Sequence, residues 1–297
     1  MKVSINTNFL MCPTSSITIP YTHDGGFKKT KVYIAKIFTI LSLLFVLGYY
    51  LGTFLTPSQK FCPSEDPCTR PDLFAIEFVC LSCFLYMSYN SILFWQVRQL
   101  QKKEFPATAL GRVFSLHNKS QNMTAFSLVF QGWDLIVTPF IPEFATSIML
   151  LHHTLAAFVS YVALEYQILH YYAMFYFALS EVSSIPLVVL SLSKYYPPQE
   201  GSFFEMLKGL AEPLFAVTFS YYRVFLWTQV TYNLWKDVSH VINMKLVDSY
   251  RPGKTWTLYV ILVTAFTLSL MQYYWFTLVL SAVISSLSGN ATHEVTT

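Results

Sequence analysis

The chain has 297 residues, of which 54% are hydrophobic and only 12% carry a charged side chain. Soluble globular domains contain roughly a quarter charged residues, so this composition excludes an ordinary soluble domain. The formal net charge is only +3, and the basic residues stand in short clusters between apolar runs, so we expect no nucleic-acid partner. The composition predicts a membrane protein.

The chain begins with a polar segment, residues 1–31, which contains no apolar run of the kind that signal peptides carry. We expect this segment to be cytosolic and without fixed structure. Lys28, Lys29 and Lys31 lie directly ahead of the first apolar stretch. That stretch therefore reads as an uncleaved membrane anchor.

Seven apolar stretches follow, and a helix needs roughly 20 apolar residues to span about 30 Å of hydrocarbon. They cover residues 32–55, 74–97, 124–140, 145–165, 168–193, 206–232 and 256–286. Pro139 and Pro142 separate the third stretch from the fourth, which predicts either a tight hairpin or a re-entrant pair. We predict an all-α, multi-pass bundle of about seven transmembrane helices: a first helix and loop over 32–73, a six-helix membrane domain over 74–286, and a short tail over 287–297.

The distribution of basic residues predicts the orientation of the bundle, because cytosolic loops are enriched in Lys and Arg. With a cytosolic amino terminus, most of the basic residues between the stretches fall on the cytosolic side. The carboxyl terminus is then lumenal, as are Cys62, Cys68 and the Asn290 glycosylation sequon. Whether the two cysteines form a disulfide stays open, since pairing requires an oxidising lumen.

Ionisable residues inside the apolar stretches are the first candidates for function. They are Asp134, His152, His153, Glu181 and Arg223. A charge at the centre of a membrane helix costs about 2.5–3.5 kcal/mol on insertion scales, so such residues are rarely incidental. They can either pair with one another and fix helix packing, or line a binding site.

The histidine pair occupies an unusual helix face. At 100° per residue, His152 and His153 bound a strip that contains Ala156, Ser160 and Ala163. A strip of small residues either admits a neighbouring helix or lines a cavity. Adjacent histidines diverge too far to chelate one ion, because ligands on a helix normally stand three or four residues apart, so we predict no metal site.

Two further charged residues accompany the histidines. On a continuous fifth helix, Glu181 would share a side with Ser184 and His170, where its carboxylate could orient a histidine of another helix. Arg223, in the sixth stretch, either binds a lipid or coenzyme phosphate or neutralises one of the buried carboxylates.

The order of these motifs resembles the TLC-domain family, named for TRAM, LAG and CLN proteins. The resemblance rests on Leu151-His152-His153-Thr154, on Trp133-Asp134-Leu135 before it, and on Ser180-Glu181-Val182-Ser183-Ser184-Ile185-Pro186 after it. The run from Arg112 to His117 adds to it, and the whole covers residues 74–285. Ceramide synthases carry His-Asp-x-Ser-Asp where this chain has residues 180–184, so the chain looks closer to the TLC-domain-containing branch.

The resemblance implies six helices around an intramembrane cavity, with an additional amino-terminal helix, in the endoplasmic reticulum. It implies either a lipid-binding protein of membrane lipid homeostasis, with membrane lipids or acyl chains as partners and no permanently bound cofactor, or a lipid acyltransferase that uses acyl-coenzyme A. In the enzyme, His152 or His153 is the base, Asp134 or Glu181 orients the ring, and Arg223 holds an anionic part of the substrate. The oligomeric state is not predicted.

Overall fold

The computed structural model describes residues 26–55 and 70–288, and all regular elements in these ranges are helical. Five helical stretches are long and apolar enough to cross a membrane. They are Thr30–Leu55, Pro71–Val97, Ser147–Glu165, His170–Tyr195 and Thr255–Ser286. The prediction of an all-α, multi-pass membrane bundle is confirmed.

Twelve α-helices make up the bundle in the described ranges. In chain order they are α1 (Gly26–Leu55), α2 (Pro71–Ser91, continued by a π-helix over Ile92–Val97), α3 (Leu100–Lys103), α4 (Ala109–Phe114), α5 (Asn118–Val137), α6 (Ser147–Glu165), α7 (His170–Tyr176), α8 (Ser184–Tyr195), α9 (Phe203–Phe219), α10 (Trp227–Asn243), α11 (Val247–Tyr250) and α12 (Thr255–Leu287). A π-helix over Ser220–Leu226 joins α9 to α10 without a break.

Two long helical stretches, α5 and the continuous α9–α10, carry more polar residues than the five apolar ones. Each runs beside an apolar helix: Ser127 of α5 hydrogen-bonds Ser160 of α6, and Trp227 of α10 donates to Ser269 of α12. At 1.5 Å per residue the 20 residues of α5 are about 30 Å long, enough to run the depth of a bilayer. All seven predicted stretches are therefore mainly helical. The sixth, which corresponds to α9–α10, extends to Asn243 instead of residue 232.

The alternating direction of the long helices gives the bundle two ends. We call one the basic end; it contains the start of α1 and the connections 98–117, 166–169 and 244–254, with exposed lysines such as Lys102, Lys103 and Lys119. We call the other the opposite end; it contains the connections 138–146 and 196–202.

Polar residues define several helix starts. The side chains of Thr108, Thr146 and Ser202 each accept a hydrogen bond from a backbone N–H of the following helix, at 3.1, 3.4 and 3.2 Å. Such caps satisfy N–H groups that have no partner within the helix. The first helix begins at Gly26, six residues before the predicted start, since a helix can continue through polar residues beyond the hydrocarbon. Residues 1–25 lie outside the described ranges.

Helix α1 packs on α2 through two glycines that stand four residues apart. A Cβ on Gly48 would lie 3.0 Å from the Cα of Ala75, and one on Gly52 would lie 3.0 Å from the Cα of Pro71. Membrane helices approach closely where small residues face a neighbour at this spacing, because lipid provides no hydrophobic force between them. The glycines thus explain how the first helix joins the membrane domain.

The fifth predicted helix is broken, so the prediction of a continuous helix with His170 and Glu181 on one side is wrong. Helix α7 ends at Tyr176, a 3₁₀ segment covers Leu179–Ser183, and α8 follows. Pro186 lacks an N–H, and the Ser180 hydroxyl donates to the backbone carbonyl of Tyr176 at 3.0 Å, so local bonds replace part of the helical ladder. His170 lies instead at the basic end, where its Nδ1 accepts from the backbone N–H of His117 at 3.2 Å.

At the basic end a buried arginine holds the end of α6. Arg251 is only 2% exposed, and its guanidinium donates to the carbonyls of Tyr166 and Gln167, each at 2.8 Å. It also lies over the ring of Phe114, 5.6 Å from the centroid. A cation at a helix carboxyl terminus satisfies carbonyls that have no intrahelical partner and is stabilised by the helix dipole.

At the opposite end a surface ion pair joins α2 to the α5–α6 hairpin. Arg70 contacts Glu143 at 2.5 and 2.9 Å and Asp72 at 2.8 Å. The hydrogen bond from Arg70 lowers the pKa of Glu143. Cys62, Cys68 and Asn290 lie outside the described residues. Within the described residues, Cys80 and Cys83 of α2 form no disulfide.

Candidate functional site

His153 turns away from the middle of the bundle and towards α5. Its Nε2 lies 2.9 Å from Oδ2 of Asp134, and its Nδ1 lies 2.5 Å from Oε1 of Gln131. Asp134 and Gln131 stand three residues apart on α5, so both reach the same side of that helix. Both ring nitrogens of His153 are therefore engaged by α5, and the histidine links the two helices of the hairpin.

His152, the adjacent residue, points to the other side of α6. Its ring meets Trp275 of α12 edge-on, with centroids 5.2 Å apart, and also contacts the edge of His153 at 5.3 Å. The Nδ1 atom is buried and has no hydrogen-bond partner among the described residues. Since buried polar atoms in folded proteins almost always have a partner, this nitrogen is the strongest single sign of a ligand site.

Glu181 and Arg223 form a buried ion pair between the 3₁₀ segment and the π-helix. Arg223 Nη2 lies 2.7 Å from Oε2 of Glu181, and both residues are buried. The hydroxyl of Ser184 donates to the same carboxylate oxygen at 2.7 Å and receives a bond from Arg223 at 2.8 Å. Arg223 Nε donates to Ser183 at 2.9 Å. Irregular helix in both elements thus presents this cluster to the interior.

An internal cavity lies between α5, α6, α7, α10 and α12. The space free of protein atoms amounts to about 780 Å³ when the open space at its mouth is included. Its polar lining comes chiefly from Gln131, His152, Ser180, Glu181 and Arg223. The rest is mainly apolar and includes Ala156, Val159, Ala163, Leu169, Ala173, Phe177, Trp227, Leu234, Ile261, Ala265 and Leu268.

The cavity is elongated and has a polar end and an apolar end. Its lining residues on α6 run from His152 to Ala163, and those on the π-helix and α10 run from Arg223 to Leu234. Eleven residues of helix correspond to about 16 Å. His152 and Arg223 stand at the start of these two series, so the polar groups gather at one end while the apolar walls extend towards the basic end.

A buried polar network closes the basic end. The hydroxyl of Tyr172, which lines the cavity, donates to Asp237 of α10, and Arg112 of α4 binds the same carboxylate at 2.5 and 2.6 Å. The hydrogen bond to Asp237 raises the pKa of Arg112 further above its high ordinary value. The sequence alone gave little sign of Asp237, since it lies on a helix with a polar face and its partner is 125 residues away.

The five predicted site residues therefore form two groups. His152, Glu181 and Arg223 line the cavity, whereas His153 and Asp134 form a pair behind its wall, joined to it through Gln131. Arg223 adopts one of its two predicted roles, the neutralisation of Glu181. Within residues 26–55 and 70–288, no three His, Cys, Asp or Glu side chains are grouped in a way that could hold a metal ion.

The chemistry available at this site depends on the polar groups whose hydrogen bonds the described residues do not satisfy. His152 offers an imidazole nitrogen that can donate or accept a hydrogen bond, or take a proton, next to the apolar part of the cavity. The Glu181–Arg223 pair contributes polarity without net charge. A membrane amphiphile with a hydrogen-bonding headgroup fits both features.

The TLC domain model, described for TRAM, LAG1 and CLN8 proteins, matches residues 73–281. The match includes the histidine pair, Asp134, Glu181 and Arg223 and leaves out α1, in agreement with an additional amino-terminal helix. No curated protein and no solved structure matches the chain. The matched region covers more than two thirds of the sequence, and the chain belongs to the TLC-domain family.

Proposed function

We propose that the protein binds a single membrane lipid in its internal cavity and acts in membrane lipid homeostasis without changing the lipid covalently. The observation that carries the proposal is the Nδ1 atom of His152, which has no hydrogen-bond partner within the described parts of the chain and lies at the polar end of an elongated apolar cavity. A family role in membrane lipid biology agrees with it. The departure from the synthase motif at residues 180–184 favours binding over ceramide synthesis and the TLC-domain-containing branch over the synthases.

Selectivity in such a site comes from the headgroup. Burying a methylene gains about 0.8 kcal/mol relative to water. A lipid that leaves the bilayer for the cavity gains almost none of this, because lipid tails are as apolar as the cavity wall. The hydrogen bonds at the polar end, made in a water-poor site, therefore decide which lipid is retained.

Neighbouring alanines on α6 allow a matched test. Ala156 lines the cavity and Ala157 does not. We expect Ala156→Leu to reduce the amount of lipid that copurifies in mild detergent at least threefold, measured by mass spectrometry after solvent extraction, and Ala157→Leu to leave it unchanged. Equal lipid content in both variants and the wild type, with all three eluting as folded protein, contradicts the proposal.

A second proposal is a lipid acyltransferase that uses acyl-coenzyme A, favoured by the contact between His153 and Asp134. In this mechanism His152, which faces the cavity, removes the proton from an acceptor hydroxyl or amine. The acceptor attacks the thioester carbonyl, the carbon–sulfur bond breaks, and the proton passes to the leaving thiolate. His153, held by Asp134, positions the neighbouring ring. Arg223 would act on the substrate while it remains paired with Glu181.

The two proposals differ in a thiol assay. Purified protein with its copurified lipid is incubated with palmitoyl-coenzyme A, and free thiol is measured against His152→Ala. Thiol release that the variant loses, together with a new acylated lipid, supports the transferase. No release above the variant, with lipid content retained by the wild type, supports binding alone.

We also propose that the basic end faces the cytosol and that the protein resides in the endoplasmic reticulum. The excess of Lys and Arg at that end supports the orientation. The carboxyl-terminal tail would then be lumenal. A glycan on Asn290, detected as an endoglycosidase-sensitive shift that Asn290→Gln removes, tests both; a protease-accessible, unglycosylated tail in sealed microsomes contradicts the orientation.

A further inference from the structure

We infer that the cavity selects an uncharged lipid headgroup that carries carbonyl or hydroxyl oxygens, and discriminates against phosphate-bearing lipids. This inference rests on the proposed lipid-binding function and deepens it. It rests on two observations at the polar end of the cavity. The first is the net charge of the side chains that surround this end, and the second is that some of their hydrogen-bonding groups have no partner among the described residues.

The charge near the headgroup position is zero or negative. Among the described residues, Arg223 is the one cation of the cavity lining, and Glu181 at 2.7 Å neutralises it. Behind the wall, Asp134 faces His153, and this pair contributes zero charge when the histidine is protonated and one negative charge when it is not. Neither state supplies a surplus positive charge to hold a phosphate.

His152 does not change this balance. Its ring contacts lie against Trp275 and His153, and the described residues place no carboxylate within ion-pair distance of it. A buried cation without a partner is strongly disfavoured, so the ring is neutral in this site. A phosphate would therefore have to leave its water shell without a free cation to receive it.

Hydrogen-bonding capacity nevertheless remains for a neutral headgroup. A guanidinium has five N–H groups, and those of Arg223 reach Ser183, Ser184, Glu181 and, through a long 3.5 Å contact from Nη1, Gln272. One N–H of Nη1 is left, and Nδ1 of His152 has no partner among the described residues. An ester or amide carbonyl, or a hydroxyl, matches these groups without adding charge.

The test compares two probes with the same acyl chain: 1-palmitoylglycerol, which is uncharged, and palmitoyl lysophosphatidate. The full-length protein in detergent is incubated with an equimolar mixture, and the bound ratio is read by mass spectrometry. We expect at least a fivefold excess of palmitoylglycerol. Glu181→Gln leaves Arg223 unpaired, and the ratio should fall at least fivefold towards the phosphate.

Two further variants separate the effect of a changed charge in the cavity from a general loss of folding. Glu77→Gln removes another buried carboxylate, which bonds Ser191 and does not line the cavity, and should keep the wild-type ratio. The double variant Glu181→Gln/Arg223→Gln is again neutral and should also keep it, even if Glu181→Gln alone folds poorly.

Equal or preferential binding of lysophosphatidate by the wild type, abolished by Ala156→Leu, overturns the inference while leaving the lipid-binding proposal intact. The inference is also overturned if the double variant shifts the bound ratio of the two probes as far as Glu181→Gln does. If Ala156→Leu changes the binding of neither probe, the lipid-binding proposal fails, and the inference fails with it.

Discussion

His153 bridges two helices by pairing with Asp134 on one ring nitrogen, at 2.9 Å, while Gln131 occupies the other at 2.5 Å. Neither residue of the pair lines the cavity, and Gln131, which does, connects them to it. His152, one residue earlier, is the histidine that faces the cavity. The two histidines of the family motif thus have different surroundings in this protein: one is held, and the other is available.

The held pair predicts an asymmetric response to mutation. Asp134→Ala removes one partner from a buried contact and should destabilise the protein by about 3–5 kcal/mol, because the remaining polar group is left without compensation. The double variant Asp134→Leu/His153→Leu removes both polar groups and should be more stable than Asp134→Ala. Thermal unfolding in detergent, followed by tryptophan fluorescence, measures both. If the double variant unfolds at a lower temperature than Asp134→Ala, the pair itself contributes net stability.

The buried guanidinium of Arg251 predicts a large effect far from the cavity. Arg251→Ala leaves the carbonyls of Tyr166 and Gln167 without these donors, and each unsatisfied buried group costs about 1–3 kcal/mol. We expect a clear fall in unfolding temperature. Lys236→Ala, an exposed basic residue near the same end, should have little effect. Similar shifts for both variants would mean that general charge, and not the carbonyl bonds, stabilises this end.

The close approach of α1 to α2 predicts that Gly48 tolerates no side chain. Gly48→Leu must push the helices apart or distort them, and overpacking of this kind costs about 1–3 kcal/mol. Gly209→Ala is the matched control, since no neighbouring atom lies within 4 Å of its added Cβ. It should stabilise α9 slightly, by roughly 0.5–1 kcal/mol, because alanine favours a helix over glycine. Thermal unfolding compares the two, and equal stability of Gly48→Leu and the wild type contradicts the contact.

The ion pair at the opposite end predicts a dependence on pH. Its partner Arg70 lowers the pKa of Glu143, so the pair contributes stability above the ordinary glutamate pKa of about 4.3 and loses it as the pH falls through the lower folded value. The difference in unfolding temperature between the wild type and Glu143→Gln should be present at pH 7 and shrink below pH ~4. A difference that stays constant on acidification contradicts this role.

The sequence carried enough information for the bundle and for the membership of the site, but not for its internal arrangement. Apolar length located the seven long helical stretches but not the break in the fifth, and the cost of intramembrane charge identified the five polar residues. Which side chains come into contact depends on how the helices rotate and pack against one another. This packing places Glu181 against Arg223 and not against a histidine. The break at Leu179–Ser183 had a readable signal in Pro186 and the serines before it. The α1–α2 contact also had a readable signal, which is the four-residue spacing of Gly48 and Gly52.

The mutual neutralisation of Glu181 and Arg223 has a consequence for biosynthesis. Each residue belongs to a different helical stretch, His170–Tyr195 and α9–α10, and each would enter the hydrocarbon with its charge exposed if its stretch left the translocon alone, at a cost of about 2.5–3.5 kcal/mol for an arginine. Contact between the two stretches removes most of that penalty. The earlier stretch is therefore expected to wait at the translocon for the later one, so that this half of the protein enters the lipid as a preassembled unit.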